Sequence, residues 1–152
     1  LNALTFASPD VGGVARTRTF AKHFSADMVI CDKHRKRANE IASMQVIGDV
    51  TDRDVVLIDD LIDTGGTLCR AAQLIKEKGA RTVRAICTHP VLSGNAYANI
   101  NSSVLEELVV TDTLPLKQQS SKIKVLTVSD LFAKAINNIH SHGSISSLFI
   151  NN

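Results

Sequence analysis

Three carboxylates, two adjacent glycines and two threonines fall within the stretch Asp59 to Thr67 of DVVLIDDLIDTGGTL. Clustered carboxylates repel one another unless a metal ion or ligand hydroxyls compensate them. The apolar run Val55 to Ile58 reads as a strand that ends on Asp59 and Asp60, and in open α/β sheets ligands bind just outside the carboxyl ends of the strands. Successive strand residues point to opposite faces, so these two acids diverge and take different jobs unless the chain is already turning there. In DTGGT, Asp63 to Thr67, Gly65 and Gly66 permit a tight turn and expose backbone N–H groups beside a helix start, where the helix dipole favours an anion of phosphate size. Thr64 and Thr67 add hydroxyl donors. The plainer alternative is an exposed acidic turn, with Asp63 or Thr64 capping the helix and the glycines only bending the chain. The loop is neither the nucleotide P-loop, since no Lys follows the glycines, nor GxGxxG. Mg²⁺ commonly takes few carboxylates plus substrate phosphates, so acids beside a phosphate cradle point to a phosphorylated polyol.

Two further segments carry candidate chemistry. In ASPDVGGVARTR, Asp10 and the pair Gly12 and Gly13 sit at the end of a first strand just ahead of a helix. Asp10 there is a turn and cap residue or a metal ligand, and Arg16 and Arg18 are solvated helix charges or face an anion held by that helix. In DKHRKRANE, Asp32 to Glu40, an extended loop would send Lys33, Arg35 and Arg37 to one side and His34 and Lys36 to the other. No aromatic residue interleaves with these charges, aromatics are 4% of the chain and the net charge is +2, all of which argues against nucleic acid as a partner. A loop closing on a polyphosphate fits better, with the odd-numbered cations stabilising charge on transferring phosphoryl oxygens. His89 lies in CTHPVLSGNA, which starts where a fourth strand ends, on the same edge of the sheet as the other loops, or it merely turns the chain before Pro90; no histidine pair has HExxH or another metal spacing.

The elements that must position these residues are legible in outline. A chain of 152 residues with 44% hydrophobic and 21% charged side chains can bury one sizeable core, so one domain over 1–152 is expected. Short continuous apolar runs at Leu4 to Ala7, Met28 to Cys31, Val55 to Ile58, Val83 to Cys87 and Glu107 to Thr111 read as strands covered on both faces. Helix-period segments occupy Gly13 to Phe24, Gly66 to Lys78 with Gly79 as C-cap, and Leu131 to His140 with Ser129 or Asp130 as cap. The alternation predicts an α/β fold with a mainly parallel, doubly wound sheet, helices on both faces and right-handed crossovers, the late strands being candidates for antiparallel additions. Pro115 to Lys124 reads as a mobile surface loop. Cys31, Cys69 and Cys87 lie in or beside apolar runs and read as reduced thiols packed as small core residues. No run approaches the roughly 18 apolar residues of a membrane span and no secretory signal opens the chain, so a soluble, cytoplasmic protein with no membrane partner is expected. A start at Leu1 rather than Met hints that the residues were cut from something longer.

Five segments, SPDVGG, DKHRKRAN, VLIDDLIDTGGTL, THPVLSGNA and SISSLF, in this order across nearly the whole chain, resemble the ribose-phosphate pyrophosphokinase (phosphoribosyl pyrophosphate synthetase) family, which has the type I phosphoribosyltransferase fold. The resemblance implies Mg²⁺-dependent transfer of a diphosphoryl group from ATP to the C1 hydroxyl of ribose 5-phosphate. On matching positions it implies that Asp63, Thr64, Gly65, Gly66 and Thr67 hold the 5-phosphate and that Asp59 and Asp60 bind the ribose hydroxyls. It makes Asp10 a magnesium ligand and Lys33 and Arg35 catalytic cations, Arg35 also contacting ribose 5-phosphate. His34 and Lys36 stand where the family usually has Arg and Pro. Members have two similar domains, of which this chain resembles the C-terminal one. The resemblance therefore implies, as partners, ATP, an N-terminal domain that grips the ATP base, and further copies in a homohexamer; alone, the chain is expected to bind ribose 5-phosphate without efficient turnover. Three other readings stand beside it. A nucleobase phosphoribosyltransferase explains DTGGT but not DKHRKRAN, a catalytically silent regulatory subunit of the synthetase sits badly with Lys33 and Arg35, and a phosphoacceptor receiver domain leaves DTGGT unused.

Overall fold

The computed structural model describes residues 3–34 and 43–149, with the backbone alone at Lys33 and His34. In chain order the elements are β1 (Leu4–Ser8), α1 (Val14–His23), β2 (Asp27–His34), β3 (Ser43–Ile47), β4 (Asp54–Ile62), α2 (Gly66–Glu77), β5 (Thr82–Pro90), α3 (Ala96–Ser102), β6 (Glu107–Thr111), β7 (Ile123–Leu126), α4 (Ser129–His140) and a short 3₁₀ turn at Ser146–Leu148. The strands form one seven-stranded sheet in the order β3-β2-β1-β4-β5-β6-β7. Every neighbouring pair is parallel except β2 with β3.

Strand period two sorts β4 onto two layers. Val55 and Leu57 join the main core with Leu68, Ala71, Ala72 and Ile75 of α2 and Ala96, Tyr97 and Ile100 of α3. Val56 and Ile58 face the other way and pack with Phe6 and with Ala21 of α1. The four buried α2 positions are those the helical period predicts, and Gly79, at φ +94°, ends the helix as expected. Gly79 N–H donates to Lys76 O at 3.0 Å and Ala80 N–H to Ile75 O at 3.3 Å, the paired bonds of a Schellman turn. The helical period puts Val14, Phe20 and Phe24 near one face of α1, but the fully buried positions are Thr17 and Ala21; Phe20 is half-buried against the Phe6 cluster, and Phe24 is exposed, although its ring lies 5.6 Å from that of Phe6.

At the amino end of the sheet, buried Asp54 ties β4 to the start of β5. It accepts from Arg81 Nε at 2.9 Å and Thr82 Oγ1 at 2.7 Å, while Arg53 pairs with Asp27 of β2. These charge-assisted bonds fix the strand register at the end remote from the acidic loop, so their carboxyl ends emerge together.

Several expectations change. The antiparallel strand is β3, early in the chain, whereas the late strands β6 and β7 are parallel. The basic segment does not leave the sheet at Asp32, because β2 runs to His34 and pairs there with β3. Of Pro115 to Lys124, the last two residues belong to β7, and the rest is fastened down: Lys117 N–H donates to Tyr97 Oη at 2.9 Å, Ser120 Oγ to Asn101 Oδ1 at 2.6 Å and Lys122 Nζ to Ser103 O at 2.6 Å. Helix α4 starts after Val128 with no side-chain cap from Ser129 or Asp130. Cys31 and Cys87 are buried, and burial pushes both thiols up to about 12, which fits packing rather than reactivity. No described helix is long and apolar enough to cross a membrane.

Candidate functional site

The carboxyl end of β4 and the N-terminus of α2 enclose a cavity of about 320 Å³ lined by Asp10 and the continuous run Asp59 to Leu68. A larger groove of about 550 Å³ along Leu116 to Ser121 and Ile123 collects no acid. The cavity therefore gathers Asp10, Asp59, Asp60, Asp63, Thr64, Gly65, Gly66 and Thr67, eight of the ten residues to which the family resemblance gives a role. Lys33 lies on β2, paired in register with Met44. Arg35, with Lys36 and Arg37, falls outside the described residues.

The turn is built as an anion cradle requires. Gly65 is the N-cap of α2 at φ +73°, a conformation that favours glycine. No side chain caps the helix and its first turn holds no acid, so neither Asp63 nor Thr64 plays the capping part that the plainer reading gives them. The helix-start N–H groups are left to face whatever enters.

Asp59 and Asp60 differ as expected, but they do not simply diverge. Asp59 Oδ1 curls back to accept the Asp60 N–H at 2.9 Å. Arg16 of α1 reaches both, with Nη2 donating to Asp60 Oδ2 at 2.7 Å and Nη1 lying 3.9 Å from Asp59 Oδ1. Burial, helped by the neighbouring charges of Asp60 and Asp10, pushes Asp59 up to about 6. At Asp60 partial desolvation pushes upward, but the Arg16 guanidinium, together with hydrogen bonds from Asp59 and from the Asp60 and Leu61 backbone, outweighs it and holds the carboxyl below its usual range. One acid is thus poised to hold or release a proton near neutrality while the other stays ionised.

Asp10 serves its own loop as well as the cavity. Its Oδ1 accepts the Gly13 N–H at 3.0 Å, and Ser8 Oγ donates to Asp10 O at 2.6 Å. A Cβ on Gly13 would stand 2.7 Å from Ser8 Oγ, so this tight loop excludes a side chain there. Asp10, Asp59 and Asp60 offer hard oxygen donors, yet among the described residues no group of three His, Cys, Asp or Glu is assembled to hold a metal ion. Mg²⁺ takes one or two carboxylates completed by water and substrate phosphate, and Asp10 and Asp59 line the cavity with oxygens of that kind.

Arg16 is one of two arginines for which sequence left surface and anion-facing roles open; its partner Asp60 is 44 residues away. Ser93 lies in the THPVLSGNA segment without a role read for it there, Asn99 has no local signal, and both touch the acidic loop across the fold. His89 turns instead toward Thr113, Nδ1 to Oγ1 at 3.0 Å, and lines a separate groove with Leu61, Leu114 and Phe132.

Residues 16–150 match the family model described as the phosphoribosyl synthetase-associated domain. The chain belongs to this family. A ribose-phosphate pyrophosphokinase of Campylobacter jejuni is 57% identical over 143 residues, which cover 94% of this chain and 46% of that relative. The crystal structure of phosphoribosylpyrophosphate synthetase from Mycobacterium smegmatis superposes with a TM-score of 0.85 at 32% identity, covering 93% of this chain and 46% of that one. An orotate phosphoribosyltransferase from Aeropyrum pernix, at 18% identity and a TM-score of 0.56 over 88% of this chain and 64% of its own, shares the fold alone. The type I phosphoribosyltransferase-like α/β architecture is therefore borne out. The chain spans about half the length of the curated relatives it matches.

For this phosphoribosyl synthetase-associated chain the two acids make a direct prediction. In the free chain the Asp59 carboxyl, followed by ¹³C NMR, should titrate near pH 6, and a ligand that places a cation or hydroxyl donors against it should move the midpoint downward, because both favour the ionised form. Binding near pH 6 consequently releases a proton, and affinity rises with pH until Asp59 is fully ionised. The phosphate of a sugar ester also titrates near about 6, so the slope assigned to Asp59 is the part that disappears in Asp59→Asn. The same shift works against the empty fold. A carboxyl raised above its unfolded value of about 3.9 contributes stability below about pH 4 that is lost as pH rises through 6. Asp59→Asn should therefore raise the melting temperature of the ligand-free chain at pH 7.5.

Proposed function

We propose that this chain is the ribose 5-phosphate-binding, C-terminal domain of a ribose-phosphate pyrophosphokinase. The observation that carries the reading is the uncapped start of α2, behind the Gly65–Gly66 turn, in one cavity with Asp59 and Asp60. A phosphate end and a hydroxyl end lie within the reach of one small sugar phosphate. Backbone N–H groups and hydroxyls of Asp63 to Thr67 hold the 5-phosphate, and Asp59 and Asp60 accept from ribose hydroxyls. This presents the C1 hydroxyl at the mouth of the cavity.

The reaction transfers a diphosphoryl group. The C1 oxygen bonds to the β-phosphorus of ATP, the bond from that phosphorus to the bridging oxygen of the α-phosphate breaks, AMP leaves, and the hydroxyl proton is released. Protein groups contribute position and charge rather than covalent chemistry. Lys33, near the end of β2, and Arg35, two residues further on, bring fixed cations to the transferring oxygens, and Arg35 also contacts the sugar phosphate. Mg²⁺ held at Asp10 would neutralise polyphosphate charge.

The half-length match supports a division of labour. Residues 1–152 form one domain, the ATP base is gripped by an N-terminal domain of the full enzyme, and the enzyme works in the cytoplasm as a homo-oligomer, a hexamer by family resemblance. The 152-residue chain then binds ribose 5-phosphate but makes product poorly. Product analysis tests this. The full enzyme, given ATP, Mg²⁺ and ribose 5-phosphate, should form AMP and phosphoribosyl pyrophosphate in equal amounts, while the 152-residue chain should not. Release of pyrophosphate from phosphoribosyl pyrophosphate and a nucleobase by this chain would make it a phosphoribosyltransferase instead.

A further inference from the structure

Asp63 places a negative charge at the head of a loop that has to receive an anion, and like charges at such range repel. Its carboxylate is engaged elsewhere. The Ser93 hydroxyl, from the segment between β5 and α3, donates a hydrogen bond to Asp63 Oδ1. The backbone of that segment runs alongside the loop, with Leu92 N–H donating to Ile62 O and Ser93 N–H to Asp63 O, both at 3.0 Å. From α3, Asn99 Nδ2 donates to Thr64 O at 2.9 Å. Behind Gly65, a Cβ would meet Ile100 Cγ1 at 3.7 Å and Ala96 O at 3.9 Å, so α3 also backs the turn.

These bonds have a directional consequence. In a planar trans peptide the C=O and the following N–H point in opposite directions. Drawing Asp63 O to Ser93 and Thr64 O to Asn99 therefore turns the N–H groups of Thr64 and Gly65 away from the β5–α3 segment. Resting on the phosphate reading of the cavity, we infer that Ser93 and Asn99 are positioning residues: they brace the loop so that its N–H groups are aimed at the 5-phosphate before it arrives, and they hold the Asp63 carboxylate away from it. Preorganised donors bind an anion without the cost of ordering the loop at the moment of binding.

Ser93→Ala and Asn99→Leu should each weaken ribose 5-phosphate binding about tenfold in calorimetric titration, the scale of one lost hydrogen bond, and Ser93→Thr should restore it. The backbone order parameters of Gly65 and Gly66 in the ligand-free chain should fall in both weakened variants and recover in Ser93→Thr. A merely structural role would lower the melting temperature without moving either readout. If Ser93→Ala does not fold, Asn99→Leu on the short helix carries the same comparison. Wild-type affinity together with unchanged order parameters in Asn99→Leu and Ser93→Ala would overturn the brace. A wild-type chain that binds no ribose 5-phosphate would defeat the phosphate reading instead, and the order parameters of Gly65 would still decide the brace.

Discussion

Replacing Lys33 by Ala in the full enzyme should lower kcat for phosphoribosyl pyrophosphate formation by about 10²- to 10³-fold, the usual scale for removing one preorganised charge from a reacting centre. The KM for ribose 5-phosphate should change little. Diphosphoryl transfer builds negative charge on oxygens that neither Asp59 nor Asp60 can stabilise, since both are acids and Asp60 stays ionised beside Arg16. Cations therefore have to come from another element. Lys33 lies on β2, and β2 pairs in parallel with β1, whose carboxyl end leads into the Asp10 loop. Arg35→Ala should differ in kind, lowering kcat and raising the KM for ribose 5-phosphate together, because that guanidinium is proposed to touch the substrate as well as the transferring group. Steady-state kinetics over both substrates separate the two patterns. A raised KM for ribose 5-phosphate with kcat unchanged in Lys33→Ala would move Lys33 from the chemistry to substrate binding.

The second large effect is expected at the strand end. Asp59→Ala with Asp60→Ala should weaken ribose 5-phosphate binding to the chain by about 10²- to 10⁴-fold, since each lost hydrogen bond to an ionised carboxylate typically costs about a factor of 10 to 150. Inorganic phosphate should be retained, or bind more tightly, because the glycine turn is untouched and Arg16 is released from its acids. The discrimination between sugar phosphate and phosphate is thus the informative quantity. Isothermal titration with both ligands, beside circular dichroism to show that the variant is folded, checks it. Equal losses for the two ligands would mean that the acids shape the cavity rather than grip the sugar.

Much of this site is legible in the sequence because its signals are local. Asp59 to Thr67 is one uninterrupted run, and a strand ending in acids followed by Gly-Gly and an amphipathic helix dictates where the donors fall. Leu68, Ala71, Ala72 and Ile75 announced the buried face of α2 at helical spacing, and continuous apolarity in Val55 to Ile58 announced a strand covered on both sides. What sequence left unread is non-local or weakly patterned. Strand β3 alternates only between exposed and half-buried positions, as an edge strand does, and β7 is four residues long with one buried side chain. Helix α3 is two turns of small and polar residues, with little period to detect. Arg16, Ser93 and Asn99 reach their partners across 44, 30 and 35 residues, and no spacing rule spans such separations. The different characters of Asp59 and Asp60 were expected from alternation, but the direction of each shift needed the position of Arg16.

Calorimetric titration of ribose 5-phosphate into the 152-residue chain, with and without Mg²⁺, and beside Thr67→Val, tests the central claim most directly. The cavity at the start of α2 predicts saturable one-to-one binding, tightened by Mg²⁺ and weakened at least tenfold when the Thr67 hydroxyl is removed, the scale of one hydrogen bond to a charged group. No binding to the wild-type chain, or equal binding to Thr67→Val, would contradict it.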